Sequence, residues 1–276
     1  MKHIIILLLA IALTICDLTP CEPFGLRVYY GDVLLDHLSP EKAVIYFNTK
    51  EPCRASFLNV ISGEGFKKIT CAHNTINTSA FVNFYAPNVH VCPLTNILFE
   101  ESFKYAAFGL AEDSAVPTAH KLSWVETSLT DPRAKNRDVR VVALADWGTI
   151  KKNIDIMTPI ANDLKRVLHE HKIDALLIDG DVAYDLDTNN GSNYEDFLFL
   201  LEEVSYKTPI IHVPGNHERK TPDAALLFNS SFKIYGLDKK LATGLSLGSL
   251  FILPFDPYNV IYGYTEPLST LDALKA

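Results

Sequence analysis

Basic side chains are the minority charge in this sequence: 25 Lys and Arg face 33 Asp and Glu, for a formal net charge of −8 and a pI near 5.6. Such a chain lacks the clustered basic surface that a nucleic-acid backbone requires. It also repels phosphoesters at a distance, so attraction for one has to come from bound cations. Past Ile15 no apolar run is long enough to cross a bilayer. Internal repeats and low-complexity tracts are missing, which excludes solenoids and collagen-like rods. No cysteine follows Cys92 and no histidine follows His217.

What is present is enough for two cored domains: 276 residues, 48% of them hydrophobic. Lys2 and His3 precede an apolar run from Ile4 to Ile15, broken by Thr14, with small or polar residues after it. That pattern predicts a secretory signal peptide over 1–16, cleaved near Cys16. A retained signal anchor is the alternative, disfavoured by the run's length. Cleavage leaves Cys21, Cys53, Cys71 and Cys92, an even number whose spacings match no zinc knuckle. They predict disulfides and an oxidising compartment, with three connectivities open. Sequons at Asn77, Asn190 and Asn229 suit a secreted glycoprotein. Nothing in the sequence sets the oligomeric state.

Residues 22–130 alternate short apolar runs with turns. Strands are predicted over Arg27 to Tyr30, Ala43 to Asn48, Ala55 to Ile61, Ala80 to Tyr85 and Tyr105 to Leu110. The implied architecture is an all-β sandwich of immunoglobulin or fibronectin type III kind. Asp131 to Arg137 reads as a polar linker. Residues 138–276 change character. Mostly apolar runs at Val139 to Ala145, Ala175 to Asp179 and Ile210 to Val213 predict central parallel strands. A first helix is predicted with Thr158 as cap, Pro159 at its first position, and Ile160, Leu164, Val167 and Leu168 along its buried face. A second covers Tyr194 to Val204. The order strand, helix, strand, helix, strand implies an α/β layer with right-handed crossovers.

Each of the three strands ends on a short polar motif: Asp146-Trp147-Gly148, Gly180-Asp181-Val182-Ala183-Tyr184-Asp185 and Gly215-Asn216-His217-Glu218. The carboxyl edge of an open α/β sheet is where ligands bind. Two carboxylates, a phenol, an amide and an imidazole are mostly hard oxygen donors plus one proton-transfer group, a set suited to a dinuclear metal phosphoester site. Asp185 and Asp187 read as solvated loop acids or supports for the ligands. His169 and His171 fit the exposed last turn of a helix, where positive charge suits the dipole. His212 reads as a core or supporting histidine, and His37, His73, His90 and His120 show no ligand spacing.

These motifs resemble the first three of five blocks in the purple acid phosphatases, a branch of the calcineurin-like metallophosphoesterases. Gly148 stands where most metallophosphoesterases place a metal-binding histidine, and Tyr184 matches the tyrosinate of the purple branch. Gly180 to Asn190 resembles the animal and plant form of the second block. The resemblance implies a β-sandwich ahead of an α/β metallophosphoesterase domain. It also implies Asp146 and Tyr184 on ferric iron, Asp181 bridging, and Asn216 on a divalent partner (zinc, iron or manganese). His217 would contact phosphate or protonate the leaving group. The implied activity is hydrolysis of phosphate monoesters by a secreted or lysosomal/vacuolar acid phosphatase with no stable membrane span and no nucleic-acid partner. The rivals are a related phosphodiesterase and a secreted non-catalytic module that keeps the first half of the fold. The family's last two blocks, Val-x-x-His and Gly-His-x-His, have no match after His217. The domain is therefore expected to be C-terminally incomplete, with impaired activity and with the strands near Ile210 and Leu250 lacking cover.

Overall fold

The computed structural model describes residues 21–31, 43–78, 87–94, 97–131, 134, 137–148, 154–233 and 245–252. The signal peptide over 1–16, the strand expected at 80–85 and His37 lie outside them.

The N-terminal part folds as two antiparallel sheets. In one, β1 (Phe24–Tyr30), β2 (Ala43–Thr49), β5 (Ala72–Thr75) and β6 (Asn88–Leu94) lie in the order β1-β2-β6-β5. In the other, β3 (Ala55–Ser62), β4 (Gly65–Thr70), β7 (Ser102–Leu110) and β8 (Thr118–Ala119) run β4-β3-β7-β8, and β9 (Val125–Ser128) also pairs with β7. The chain crosses between sheets at Cys71, the single residue between β4 and β5. There a disulfide joins it to Cys92 of β6. A second disulfide links Cys21 to Cys53, so the structure selects one of the three open connectivities.

β1 and β2 are buried at every residue. A sheet with one wet face would alternate, so the outer face of this one must be covered. The cover is the α/β layer. Phe24 stacks on Phe199 with ring centroids 5.1 Å apart, and Tyr29 meets His212 edge-on at 5.8 Å. Polar groups are buried with them. Glu202 Oε2 accepts from the Leu26 amide (3.0 Å) and His120 Nε2 (3.0 Å), and its Oε1 pairs ionically with Lys121 Nζ at 2.8 Å. These contacts hold the carboxylate ionised, down to about 2, against the burial that opposes it. Arg27, with no exposure at all, donates to the carbonyls of Gly25 and Ser231 and to Asn48 Oδ1.

The α/β layer has the predicted order. β10 (Val141–Ala145), β11 (Ala175–Asp179) and β12 (Ile210–Val213) are parallel neighbours, with Leu176 level with both Val142 and Ile210. α1 (Ile154–Glu170) and α2 (Ser192–Ser205) make the crossovers and pack together. α3 (Pro222–Ser231) follows β12, capped by the Thr221 hydroxyl, which accepts from the Ala224 amide at 3.0 Å.

Three expectations are corrected. α1 starts at Ile154, so Pro159 lies inside the helix rather than at its first position. Proline's fixed φ is already helical, and this early in the helix its missing N–H forgoes one bond. Among the helix's described side chains Ala161 is buried and Leu164 and Leu168 pack partly buried against the core, as expected, whereas Ile160 is 42% exposed. β12 does not lack cover: all four of its residues are buried, with His212 enclosed by Tyr29, Phe228 and Phe232. The family strand expected around Leu250 is a hairpin of β13 (Leu245–Leu247) and β14 (Leu250–Ile252).

Candidate metal centre

The three motifs meet because their strands are adjacent and parallel, so their carboxyl ends share one edge. Two backbone hydrogen bonds stitch the first loop to the second: Asp146 N–H to Gly180 O (3.2 Å) and Gly148 N–H to Asp181 O (2.9 Å). Asp146 and Asp181 both adopt left-handed backbone conformations, with φ of 50° and 46°. Non-glycine residues hold such angles when the surroundings over-determine them, a pattern that clusters at functional sites.

Two glycines permit the close approach. A Cβ on Gly148 would lie 2.6 and 2.7 Å from Cε2 and Cζ of Tyr184, so the first motif leaves a slot that the phenol fills. A Cβ on Gly215 would strike the carboxylate and amide of Asp181. Across the same edge the His217 amide donates to Asp181 Oδ1 at 2.9 Å, and the His217 ring lies 4.0 Å from that of Tyr184, centroid to centroid.

The structure thus gathers Asp146, Asp181, Tyr184 and His217. Partial burial, and then the carboxylates of Asp181, Asp146 and Glu218, push the Tyr184 phenol above its ordinary pKa. Ionising it would add a negative charge to this group, and a cation would remove that repulsion. The donor set therefore fits a hard metal ion. Asn216 is exposed at the start of the turn and enters through its backbone, its carbonyl accepting from Arg219 N–H at 3.2 Å. Among the described residues no three His, Cys, Asp or Glu side chains converge as a metal cluster; the gathered set depends on the phenol.

Other sequence candidates fall elsewhere. His169 and His171 are exposed at the opposite edge of the sheet. The cavity of about 260 Å³ beside them, lined by Lys165, His169, Tyr206 and Lys207, touches none of the motifs. Burial holds His212 and His90 neutral, down to about 3. Asp185 stays beside the site, its Oδ1 taking Lys220 Nζ at 2.8 Å and lying 3.7 Å from His217 Nδ1, while Asp187 is a loop tie that takes the Thr221 hydroxyl. The residue that sequence reasoning left without a role is Glu218. It is fully buried and accepts from the amides of Gly215, Asp181 and Ala183. An acid placed directly after a tight polar turn was the signal available for it.

Residues 139–270 match the family model for calcineurin-like phosphoesterases. Acid phosphatase type 7 from Homo sapiens is 32% identical over 92 residues, and its Mus musculus counterpart is 30% identical. A purple acid phosphatase isolated from yellow lupin (Lupinus luteus) seeds shares the fold, with a TM-score of 0.57 at 16% identity over 72% of this chain. Residues 139–270 are thus similar to the calcineurin-like phosphoesterases, and part of the chain resembles known acid phosphatases. The matched segment spans 33% of this chain and 20% of each mammalian acid phosphatase, and the shared fold spans 36% of the lupin protein. The metallophosphoesterase match takes in β10 to β14, and so includes all three motif loops.

Proposed function

We propose that this protein hydrolyses phosphate monoesters as an acid phosphatase, at a dinuclear metal site on the carboxyl edge of β10, β11 and β12. The observation that carries the reading is the slot at Gly148. A residue with a Cβ there would collide with Tyr184, so the site is shaped for a phenol where other metallophosphoesterases bring a histidine. In this reading Asp146 and Tyr184 hold ferric iron, Asp181 serves both ions, and Asn216 serves a divalent zinc, iron or manganese. When bound, such a pair supplies Lewis-acid stabilisation of charge on the phosphoryl oxygens. His217, with its ring against Tyr184 and its amide on Asp181, contacts the phosphate or protonates the leaving oxygen in this reading.

The same reading takes residues 22–130 as an immunoglobulin- or fibronectin type III-like sandwich and 138–276 as the catalytic domain. It places the protein in a secreted or lysosomal/vacuolar setting. The two disulfides and the exposed sequon residues Asn77 and Asn229 support that setting.

The test is elemental analysis of the purified chain, its visible spectrum and its turnover of aryl phosphate monoesters against diesters. A tyrosinate-to-iron band lost in Tyr184→Phe and preference for the monoester, at low turnover because the last two blocks have no match after His217, are expected. A band unchanged in Tyr184→Phe removes Tyr184 as a ligand, and preference for the diester makes the enzyme a phosphodiesterase.

A further inference from the structure

Glu218 is a fully buried carboxylate with no cationic side chain among its described contacts. Its Oε2 accepts from the amides of Gly215 (2.7 Å) and Asp181 (3.1 Å), and its Oε1 from the amide of Ala183 (2.9 Å). Gly215 lies in the loop after β12, whereas Asp181 and Ala183 lie in the loop after β11. One side chain therefore ties two strand-end loops together, using charge-assisted bonds shielded from water.

Asp181 is bracketed as a result. Its N–H goes to Glu218, its carbonyl accepts from Gly148 N–H at 2.9 Å, and its Oδ1 accepts from His217 N–H at 2.9 Å. Two of the three bonds come from the third motif and one from the first. Together they hold the residue at φ 46°, which it would not adopt unaided.

We infer that Glu218 is a positioning residue. It fixes the Asp181 backbone, and with it the direction of the Asp181 carboxylate, while itself touching neither metal nor substrate. This rests on the reading that Asp181 serves the metals. A carboxylate is needed because it is acceptor-only, with lone pairs enough for three N–H groups. A glutamine would turn an NH₂ group toward one of those donors and lose that bond.

The experiment is amide hydrogen exchange on the full chain, wild type against Glu218→Gln, read at Asp181, Ala183, Gly215 and His217. The Leu176 amide, bonded to Pro209 O at 2.9 Å inside the sheet, is the control. Loss of the acceptor's charge, together with the bond that the NH₂ group forfeits, predicts exchange roughly 10–100-fold faster at Asp181, Ala183 and Gly215. The deciding amide is that of His217, which bonds to Asp181 and not to Glu218. It should accelerate as well if Glu218 positions the Asp181 carboxylate. Protection unchanged at His217 while the other three loosen makes Glu218 a loop staple and overturns the inference. If Glu218→Gln does not fold, Glu218→Asp is read the same way, because its carboxylate is one methylene short of the three donors. Metal titration with iron and zinc runs beside it. Affinity should fall about 10–100-fold in the variant, as for other residues that support ligands. Absence of metal binding by the wild type would sink the metal-site reading alone, while the His217 amide still judges the positioning of Asp181.

Discussion

Gly148→Ala is the sharpest single perturbation the site offers. The added methyl would lie 2.6 and 2.7 Å from two atoms of the Tyr184 ring and 3.1 Å from a third. The ring cannot simply retreat, because the His217 ring stands 4.0 Å from it. The backbone opposes the change too: φ at Gly148 is 59°, and an L-residue there costs ~1–2 kcal/mol. Overlap in packed surroundings adds ~1–3 kcal/mol. The two sources sum to about 2–5 kcal/mol, readable by urea denaturation at fixed pH. A double-mutant cycle separates them. Tyr184→Ala removes the obstacle, so Gly148→Ala in that background should cost about the backbone part, ~1–2 kcal/mol. The coupling between the two sites should then be ~1–3 kcal/mol. Strict additivity would mean that the slot does not exist as described, and the argument for a phenol-shaped site would fall with it.

Acid should destabilise the fold well before its carboxylates protonate. His212 and His90 stay neutral in the fold down to about 3 but take up protons at pH 6.5 when unfolded, so stability is lost as pH falls through 6.5. At pH 5 each costs ~2 kcal/mol, and His212→Gln should flatten a stability-against-pH profile. Glu202 adds a second drop between pH 4.5 and about 2, where the unfolded chain gains a proton that the buried carboxylate refuses. Non-reducing peptide mapping should recover Cys21–Cys53 and Cys71–Cys92. Loss of the second bridge in Cys71→Ser/Cys92→Ser should cost ~2–4 kcal/mol by thermal melting; any other pairing contradicts the sheet crossing at Cys71.

β11 and β12 were legible because burial leaves an apolar run, β10 reads the same way in sequence although none of its residues is buried, and the motifs were legible because polar residues interrupt those runs abruptly. The N-terminal sheets were half legible. β4 and β5 expose most of their residues, so Lys67, Lys68, His73 and Asn74 carry no alternation to read. β6 contains Pro93, which argues against a strand, yet it pairs along its length with β2. Pro159 misled the start of α1 because a proline at the first position and one in the second turn look alike in sequence. Glu218 and Glu202 were illegible for a different reason. Their partners are backbone amides and a histidine up to 176 residues away, and no local pattern announces a contact of that kind.

The covered face of β1 links the N-terminal sheets to the candidate site. The third motif loop lies between β12 and α3, and both of those elements lean on β1. His212 of β12 meets Tyr29, while Ser231 at the end of α3 offers its carbonyl to Arg27 (2.9 Å) and its hydroxyl to Tyr194 (2.6 Å). Asn48 of β2 closes the circuit, accepting from Arg27 at 2.9 Å and donating to the Tyr194 hydroxyl at 2.8 Å. The buried guanidinium is held by neutral acceptors and by the face of Phe232, 5.1 Å away. Arginine does not deprotonate, so its charge stays in this low-dielectric setting whatever the geometry. Groups of this kind contribute little net affinity, because desolvation offsets most of what the contacts return. They discriminate strongly, since a docking shifted by an ångström or two would strand a charge among apolar rings. The N-terminal sheet thereby fixes where α3 ends, and so where the loop carrying Asn216, His217 and Glu218 must run to reach Asp181.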